Sequence, residues 1–293
     1  MSSSALVSGV SLNVDVVDTS VPSPALDWSS TTNTSRHCGG RSNDMPSAMS
    51  QDQRVAVVTG GSGGIGQAVA RRLSADGISV VVNFAGNAQR ANEVVEGIAA
   101  AGGTAKAIGG DVADEQAMGD LFDEVEQQFG GVDVVVHAAA RMDLAPLVDF
   151  DLATLDEMLR INVRGTFVVD QQAARRIRVG GSILNFSSSV LGRILPNYSG
   201  YAASKGAVEA MTFILASELR GRDINVNAIA PGPTATPMFL EGKDEETIAR
   251  FAHAVPLDRL GTPADIAEAV AFLTSPGGHW INGQTIRANG GMN

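Results

Sequence analysis

The chain has 293 residues, 44% of them hydrophobic, and 21 Lys and Arg against 32 Asp and Glu give it a net charge of −11. So acidic a surface repels phosphate backbones and excludes nucleic acid as a partner. One cysteine, Cys38, makes no intrachain disulfide and suits a reducing, cytoplasmic compartment, and no apolar run reaches the ~20 residues that span a bilayer.

Residues 1–51 differ from the rest. The stretch "SSTTNTSRHCGGRSNDMPSAMS" is rich in Ser, Thr, Asn and Gly and shows no apolar period, so it is expected to be a disordered extension. "SLNVDVV" alternates like a strand, the start lacks the basic residues of a secretion signal, and Met49 offers an alternative beginning just before the periodic sequence.

From 52 to 293 short β-branched runs alternate with helical patterns. "RVAVVT" (54–59) predicts a buried strand and "GIGQAVARRLSADG" (64–77) a helix stopped by glycine. "SVVVNF" (79–84) and "AQRANEVVEGIAAAG" (88–102) repeat the pair. "AKAIGGD" (105–111), a helix over 114–129 and "VDVVVHA" (132–138) follow. A long helical pattern covers 154–178, then "SILNFSS" (182–188) reads as a strand, 201–220 as a helix and "INVNAIA" (224–230) as a strand. A helix over 263–274 and the run "GQTIRANGG" (283–291) close the chain. Strands apolar on both faces, alternating with helices, predict one α/β domain: a Rossmann-type doubly wound fold on a seven-stranded parallel sheet.

"TGGSGGIG" (59–66) joins the first strand to the first helix. Gly60 permits a tight turn, Gly64 lets backbone approach a pyrophosphate, and Gly66 lets helix and strand pack closely. The helix N-terminus then offers free N–H groups to phosphate.

Thr59-Gly60-x-x-x-Gly64-Ile65-Gly66 resembles the TGxxxGIG pattern of the short-chain dehydrogenase/reductase family, and Tyr201-x-x-x-Lys205 resembles that family's active-site pair. The resemblance runs over essentially all of 53–293 and is nearest to 3-oxoacyl-thioester (acyl-carrier-protein) reductases and related NADPH-dependent ketoreductases. Positions i and i+4 share a helix face, so Lys205 can sit beneath the Tyr201 ring as a fixed cation. With the oxidised nicotinamide it is expected to draw the phenol's pKa from about 10 toward neutrality, making Tyr201 a general acid in reduction. Tyr198 has alanine four residues on; it either lines the pocket or packs.

The resemblance implies further roles. Ser188 stands at the family's serine position, with Ser187 and Ser189 as compositional rivals. Asn162 matches an asparagine that kinks a helix and holds a water linked to the lysine. Cofactor contacts are implied for Gly60, Ser62, Gly63, Gly64, Ile65 and Gly66 of the turn, Asn83 and Phe84 after the second strand, and Asp111 and Val112. They are also implied for Ala138, Tyr201, Lys205, Pro231, Gly232, Thr234 and Thr236. "HAAA" (137–140) departs from the usual NNAG and lacks two bracing asparagines. No metal site is expected. The second strand ends without the acid that binds a ribose 2′-hydroxyl, which favours NADP(H) over NAD(H), with Arg90 as a candidate for the phosphate.

The expected activity is hydride transfer to a ketone of the 3-oxoacyl type, either a small molecule or an acyl thioester. Arg176, Arg178 and Arg222 are candidates to meet a carrier protein, and 237–256 is a candidate lid. A dehydrogenase of sugars, steroids or small alcohols is the second enzyme reading, and a non-catalytic redox sensor the reading from another class. The resemblance implies a homotetramer paired through the helices at 154–178 and 201–220 and the last strand.

Overall fold

The computed structural model describes residues 53–293; the expectations for residues 1–51 lie outside it. Its first strands show why the sheet is parallel and covered. β1 (Val55–Thr59) is buried at every position and β2 (Ser79–Phe84) at all but the last. Strands apolar on both faces need helices on both, and β-branched side chains fill the pleat. β3 (Ala105–Gly109), β4 (Val132–His137), β5 (Ile177–Phe186), β6 (Asn225–Pro231) and β7 (Thr285–Ala288) complete a seven-stranded sheet in the order β3-β2-β1-β4-β5-β6-β7. Every pairing is parallel.

The helices are α1 (Gly64–Ala75), α2 (Ala88–Ala100), α3 (Glu115–Phe129), α4 (Leu152–Leu159), α5 (Gly165–Arg176), α6 (Ser199–Glu218), α7 (Pro237–Leu240), α8 (Glu245–His253) and α9 (Pro263–Leu273). α1, α2 and α9 set Val69, Leu73, Val94, Ile98, Ile266 and Val270 against Val58, Val80, Val82 and Val136. On the other face α3 and α5 set Leu121, Phe122, Val125 and Val169 against Val55, Val57, Val135 and Ile183. Local chemistry fixes the helix ends: Asp114 accepts from the Gln116 and Ala117 N–H groups at the start of α3, and Gly130 ends that helix in the left-handed region at φ 80°. A cap of this kind contributes about 1 kcal/mol.

After β3 the chain returns to the far side of β1, so the strand order reverses between β1 and β4. The C-terminal ends of those strands part around a crevice, where open α/β sheets hold ligands.

Two boundaries differ from the sequence expectation. The long helix over 154–178 is instead α4, a π-helical segment (Arg160–Arg164) and α5, ending at Arg176. β5 begins at Ile177 rather than 182, because Ile177 pairs with Val132 before an irregularity that takes up the extra residues. Gly180 there has φ 81°, and the Gly180–Gly181 pair makes an irregularity inside the strand. The candidate lid holds α7 and α8. Among the described residues no helix is long and apolar enough to cross a membrane.

Candidate active site

A cleft of about 840 Å³ opens at the C-terminal edge of the sheet. Gly60 bends the chain out of β1 at φ 62°, and a Cβ on it would lie 2.8 Å from the Ala139 backbone. A Cβ on Gly66 would enter the Gly60 carbonyl, 2.9 Å from its carbon, so turn and helix meet backbone to backbone. At Gly64 the missing Cβ leaves room for Thr236, which would be 2.9 Å away. No side chain caps α1 at Gly63, and its first turn carries no acid. Its N–H groups and positive dipole end therefore remain available to an anion at the cleft. A glycine cradle without Cβ atoms, leading to an uncapped helix start, fits a dinucleotide pyrophosphate.

α6 carries Tyr201 and Lys205 on one face, with the Lys205 Nζ 5.8 Å from the phenol ring centroid. The ammonium donates to the Phe186 carbonyl oxygen at 2.7 Å, which ties it to the end of β5. Burial holds Lys205 down at about 8. Tyr201 packs with Met158 and Val190, and burial pushes it up to about 12, partly opposed by its interaction with Ser188. In the protein alone, desolvation of the phenolate thus holds Tyr201 above an ordinary phenol; the expected draw toward neutrality includes the charge of the oxidised nicotinamide and belongs to the cofactor complex. Tyr201 is therefore fully protonated at neutral pH, the form a proton donor needs.

The serine triplet resolves by partners. Ser187 donates to Glu209 at 2.6 Å and Ser189 to the Ala230 carbonyl at 2.9 Å. Ser188 accepts a longer 3.3 Å bond from the Val190 N–H and faces Tyr201. Tyr198 fulfils both of its readings, lining the cleft and packing beside Tyr201.

Asn162 is fully buried and does not line the cleft. Its Oδ1 accepts from the Arg141 N–H at 2.8 Å, and its Nδ2 donates to the Arg141 carbonyl and to Ser204 on α6. It sits in the π segment, whose i→i+5 geometry relieves the helix where that side chain must turn inward. Asn162 thus pins the loop after β4 to α6.

The other predicted cofactor residues reach the cleft: Ser62, Gly63, Ile65, Asn83, Phe84, Asp111, Val112, Ala138, Pro231, Gly232, Thr234 and Thr236 all line it. Two of them are also engaged elsewhere. The Asn83 amide donates to the Ile108 and Gly110 carbonyls, bracing β2 on β3. Asp111 pairs with Arg160 at 2.8 Å, a partner that spacing alone could not show. Arg71 and Arg90 also line the cleft; Arg71 lies five residues past Gly66 on α1, where an arginine on a helix surface carries no sequence signal of its own. The Phe239–Phe251 edge-to-face pair from α7 and α8 also lines the cleft, and only its tertiary packing reveals it.

The proposed carrier-protein residues lie elsewhere. Arg176 pairs with Asp123, Arg178 with Asp133 at 3.0 Å, and Arg222 donates to the Ala174 carbonyl. Asp133 and Arg178 stand near the starts of β4 and β5, at the opposite end of the sheet from the cleft.

A family profile described as enoyl-(acyl carrier protein) reductase matches residues 60–293. The chain is 40% identical over 249 residues to a short-chain type dehydrogenase/reductase of Picea abies, covering 82% of this chain and 92% of the relative. It is 39% identical over 253 residues to the chloroplastic NADPH-dependent aldehyde reductase 2 of Arabidopsis thaliana, covering 81% and 93%. The solved structure of a short-chain dehydrogenase from Burkholderia cenocepacia in complex with NADP superposes with a TM-score of 0.77 at 39% identity, covering 82% and 98%. Similarity on this scale, spanning both the glycine turn and the Tyr201–Lys205 helix, shows that the chain belongs to the short-chain dehydrogenase/reductase family.

Proposed function

We propose that the protein is an NADP(H)-dependent reductase that converts a ketone, of the 3-oxoacyl type, to a secondary alcohol. The observation that carries this reading is the meeting of Ser188, Tyr201 and Lys205 in one cleft with the uncapped start of α1. The nicotinamide cofactor, when bound, supplies the hydride. The cleft residues named above would hold it, with Gly60, Gly63 and Gly64 at the pyrophosphate. Ser188 donates a hydrogen bond to the carbonyl oxygen and stabilises the charge that develops there. Tyr201 gives its phenolic proton to that oxygen. Lys205 steadies the phenolate left behind, and Asn162 keeps the supporting loop and α6 in register.

Lys205 must be charged for this role. It loses its proton as pH rises through about 8, so kcat/KM is expected to fall above that value. A pH–rate profile flat to the alkaline end would remove the lysine from the mechanism.

The preference for NADP(H) rests on β2, which ends in Asn83 and Phe84 without a carboxylate, and on Arg71 and Arg90, which also line the cleft. Two relatives are named for NADPH or carry NADP. Phe84→Asp should move preference toward NADH, because a carboxylate there repels a 2′-phosphate and accepts from a 2′-hydroxyl. The ratio of kcat/KM values for the two cofactors reads this out, and an unchanged ratio would place the ribose elsewhere.

The 3-oxoacyl class is supported by the apolar walls from Met142, Leu195, Met238, Phe239 and Phe251, which suit an acyl chain; the matching family's description names acyl carrier protein, and so a thioester, but the reduction of an enoyl double bond rather than a ketone. A panel containing a 3-oxoacyl pantetheine thioester, a sugar, a steroid and a small alcohol separates it from the other dehydrogenase reading. The reading includes a cytoplasmic location, which the single Cys38 suits, and a homotetramer. Phe167 on α5, Phe213 and Ile214 on α6, Phe272 on α9 and Trp280 are all large and exposed, as faces awaiting a second copy would be. Light scattering at micromolar concentration should return four chains; a monomer would contradict it.

A further inference from the structure

Successive residues at the end of β5 are tied to α6. Asn185 Nδ2 donates to the Thr212 hydroxyl at 3.2 Å. The Phe186 carbonyl accepts from Lys205 Nζ at 2.7 Å. The Ser187 hydroxyl donates to Glu209 Oε1 at 2.6 Å, and Ser188 faces Tyr201. Tyr201, Lys205 and Glu209 follow one another at intervals of four along α6, so they share the helix face that meets the strand end. The mechanism uses the first two and leaves Glu209 without a role.

Ser188 sits where the backbone leaves the sheet. β5 ends at Phe186, and Ser188 is extended, at φ −157° and ψ 142°. Besides Tyr201, its hydroxyl meets only the Val190 N–H among the described residues, at 3.3 Å, so its place depends on its neighbours. Ser189 is anchored toward the sheet: its hydroxyl donates to the Ala230 carbonyl at 2.9 Å and accepts from Asn289 Nδ2 at 3.0 Å. Ser187 is anchored on two sides. Its N–H donates to the Ile229 carbonyl on β6 at 2.8 Å, and its hydroxyl donates to Glu209. That side-chain bond joins the residue next to Ser188 to the helix that carries the proton donor. Ser187 is buried, so leaving its hydroxyl without this acceptor is costly.

We propose that Glu209 is a positioning residue: through its hydrogen bond to Ser187 it holds the Ser188 hydroxyl where Ser188 and Tyr201 reach one carbonyl oxygen. Glu209 does not line the cleft, so it acts through Ser187 and not on the substrate. A hydrogen bond to a carboxylate is short and strong, and a catalytic group displaced by about an ångström loses much of its effect. The proposal rests on the reductase reading; wild-type turnover in the same assay tests that reading, so the two fail separately.

The test compares Glu209→Ala, Glu209→Gln and Ser187→Ala in the full chain, with NADPH and one good ketone. Glu209→Ala should lower kcat about tenfold and leave the NADPH dissociation constant within about twofold. Ser187→Ala removes the other end of the same bond and should match it, and the double variant should be no slower than either single one. Glu209→Gln keeps an acceptor oxygen and should recover most of the loss. In a Ser188→Ala background, Glu209→Ala should change kcat by less than about twofold, because the group it positions is gone. An unchanged kcat in Glu209→Ala, even with a lowered melting temperature, would reduce Glu209 to a packing residue and overturn the proposal. A tenfold loss that persisted without the Ser188 hydroxyl would overturn it too. Should Glu209→Ala fail to fold, Ser187→Ala with and without Ser188→Ala decides by the same criteria.

Discussion

Tyr201→Phe is expected to lower kcat about 10²–10⁴-fold while leaving the dissociation constant for NADPH within about twofold. The ring is buried against Met158 and Val190, and phenylalanine preserves that packing. What disappears is the hydroxyl, held protonated by burial at about 12 and set beside Ser188. Loss of the phenol also frees a buried site from a polar atom, so the melting temperature should not fall with the activity. This separation of catalysis from stability distinguishes a proton donor from a scaffold residue. A variant that kept most of its kcat would move the acid role elsewhere in the cleft.

The second large effect is expected at Gly66. A Cβ there enters the Gly60 carbonyl oxygen and comes within 3.0 Å of the Gly61 Cα, and both neighbours are backbone that cannot rotate away. Overpacking of this kind costs about 1–3 kcal/mol. The strain falls on the turn that leads into the uncapped start of α1. Gly66→Ala should therefore lower the melting temperature and also raise the NADPH dissociation constant by about tenfold or more. Gly119→Ala is the control. It lies inside α3 with no atom nearer than 3.9 Å to the added Cβ, and alanine there should stabilise by about 0.5–1 kcal/mol. Equal behaviour of the two variants would mean that the turn tolerates a side chain.

Much of this was legible in the residues. Val-rich runs such as VAVVT report burial on two faces, and glycines between a strand and a helix report a turn that backbone must close tightly. Helical spacing puts Tyr201 and Lys205 on one face, and the family resemblance marks them as a pair. Other features leave no periodic trace. A π segment at Arg160–Arg164 carries the same residues an α-helix would, so the break at Asn162 is set by the inward hydrogen bonds to Arg141 and Ser204. The early start of β5 hides behind the Gly180–Gly181 pair, which interrupts the apolar run. The upward shift of Tyr201 depends on burial, which spacing does not report. Ser187, Ser188 and Ser189 are distinguished only by Glu209 and Ala230, which come from distant elements. Arg176 and Arg178 read as free cations because Asp123 and Asp133 approach them from other elements.

The most direct measurement is steady-state oxidation of NADPH and of NADH by the wild-type protein with a 3-oxoacyl thioester or another ketone, followed by the loss of reduced-nicotinamide absorbance. The account predicts formation of the secondary alcohol, with kcat/KM for NADPH above that for NADH by about tenfold or more. No turnover of any ketone with either cofactor, or a preference for NADH, would contradict it.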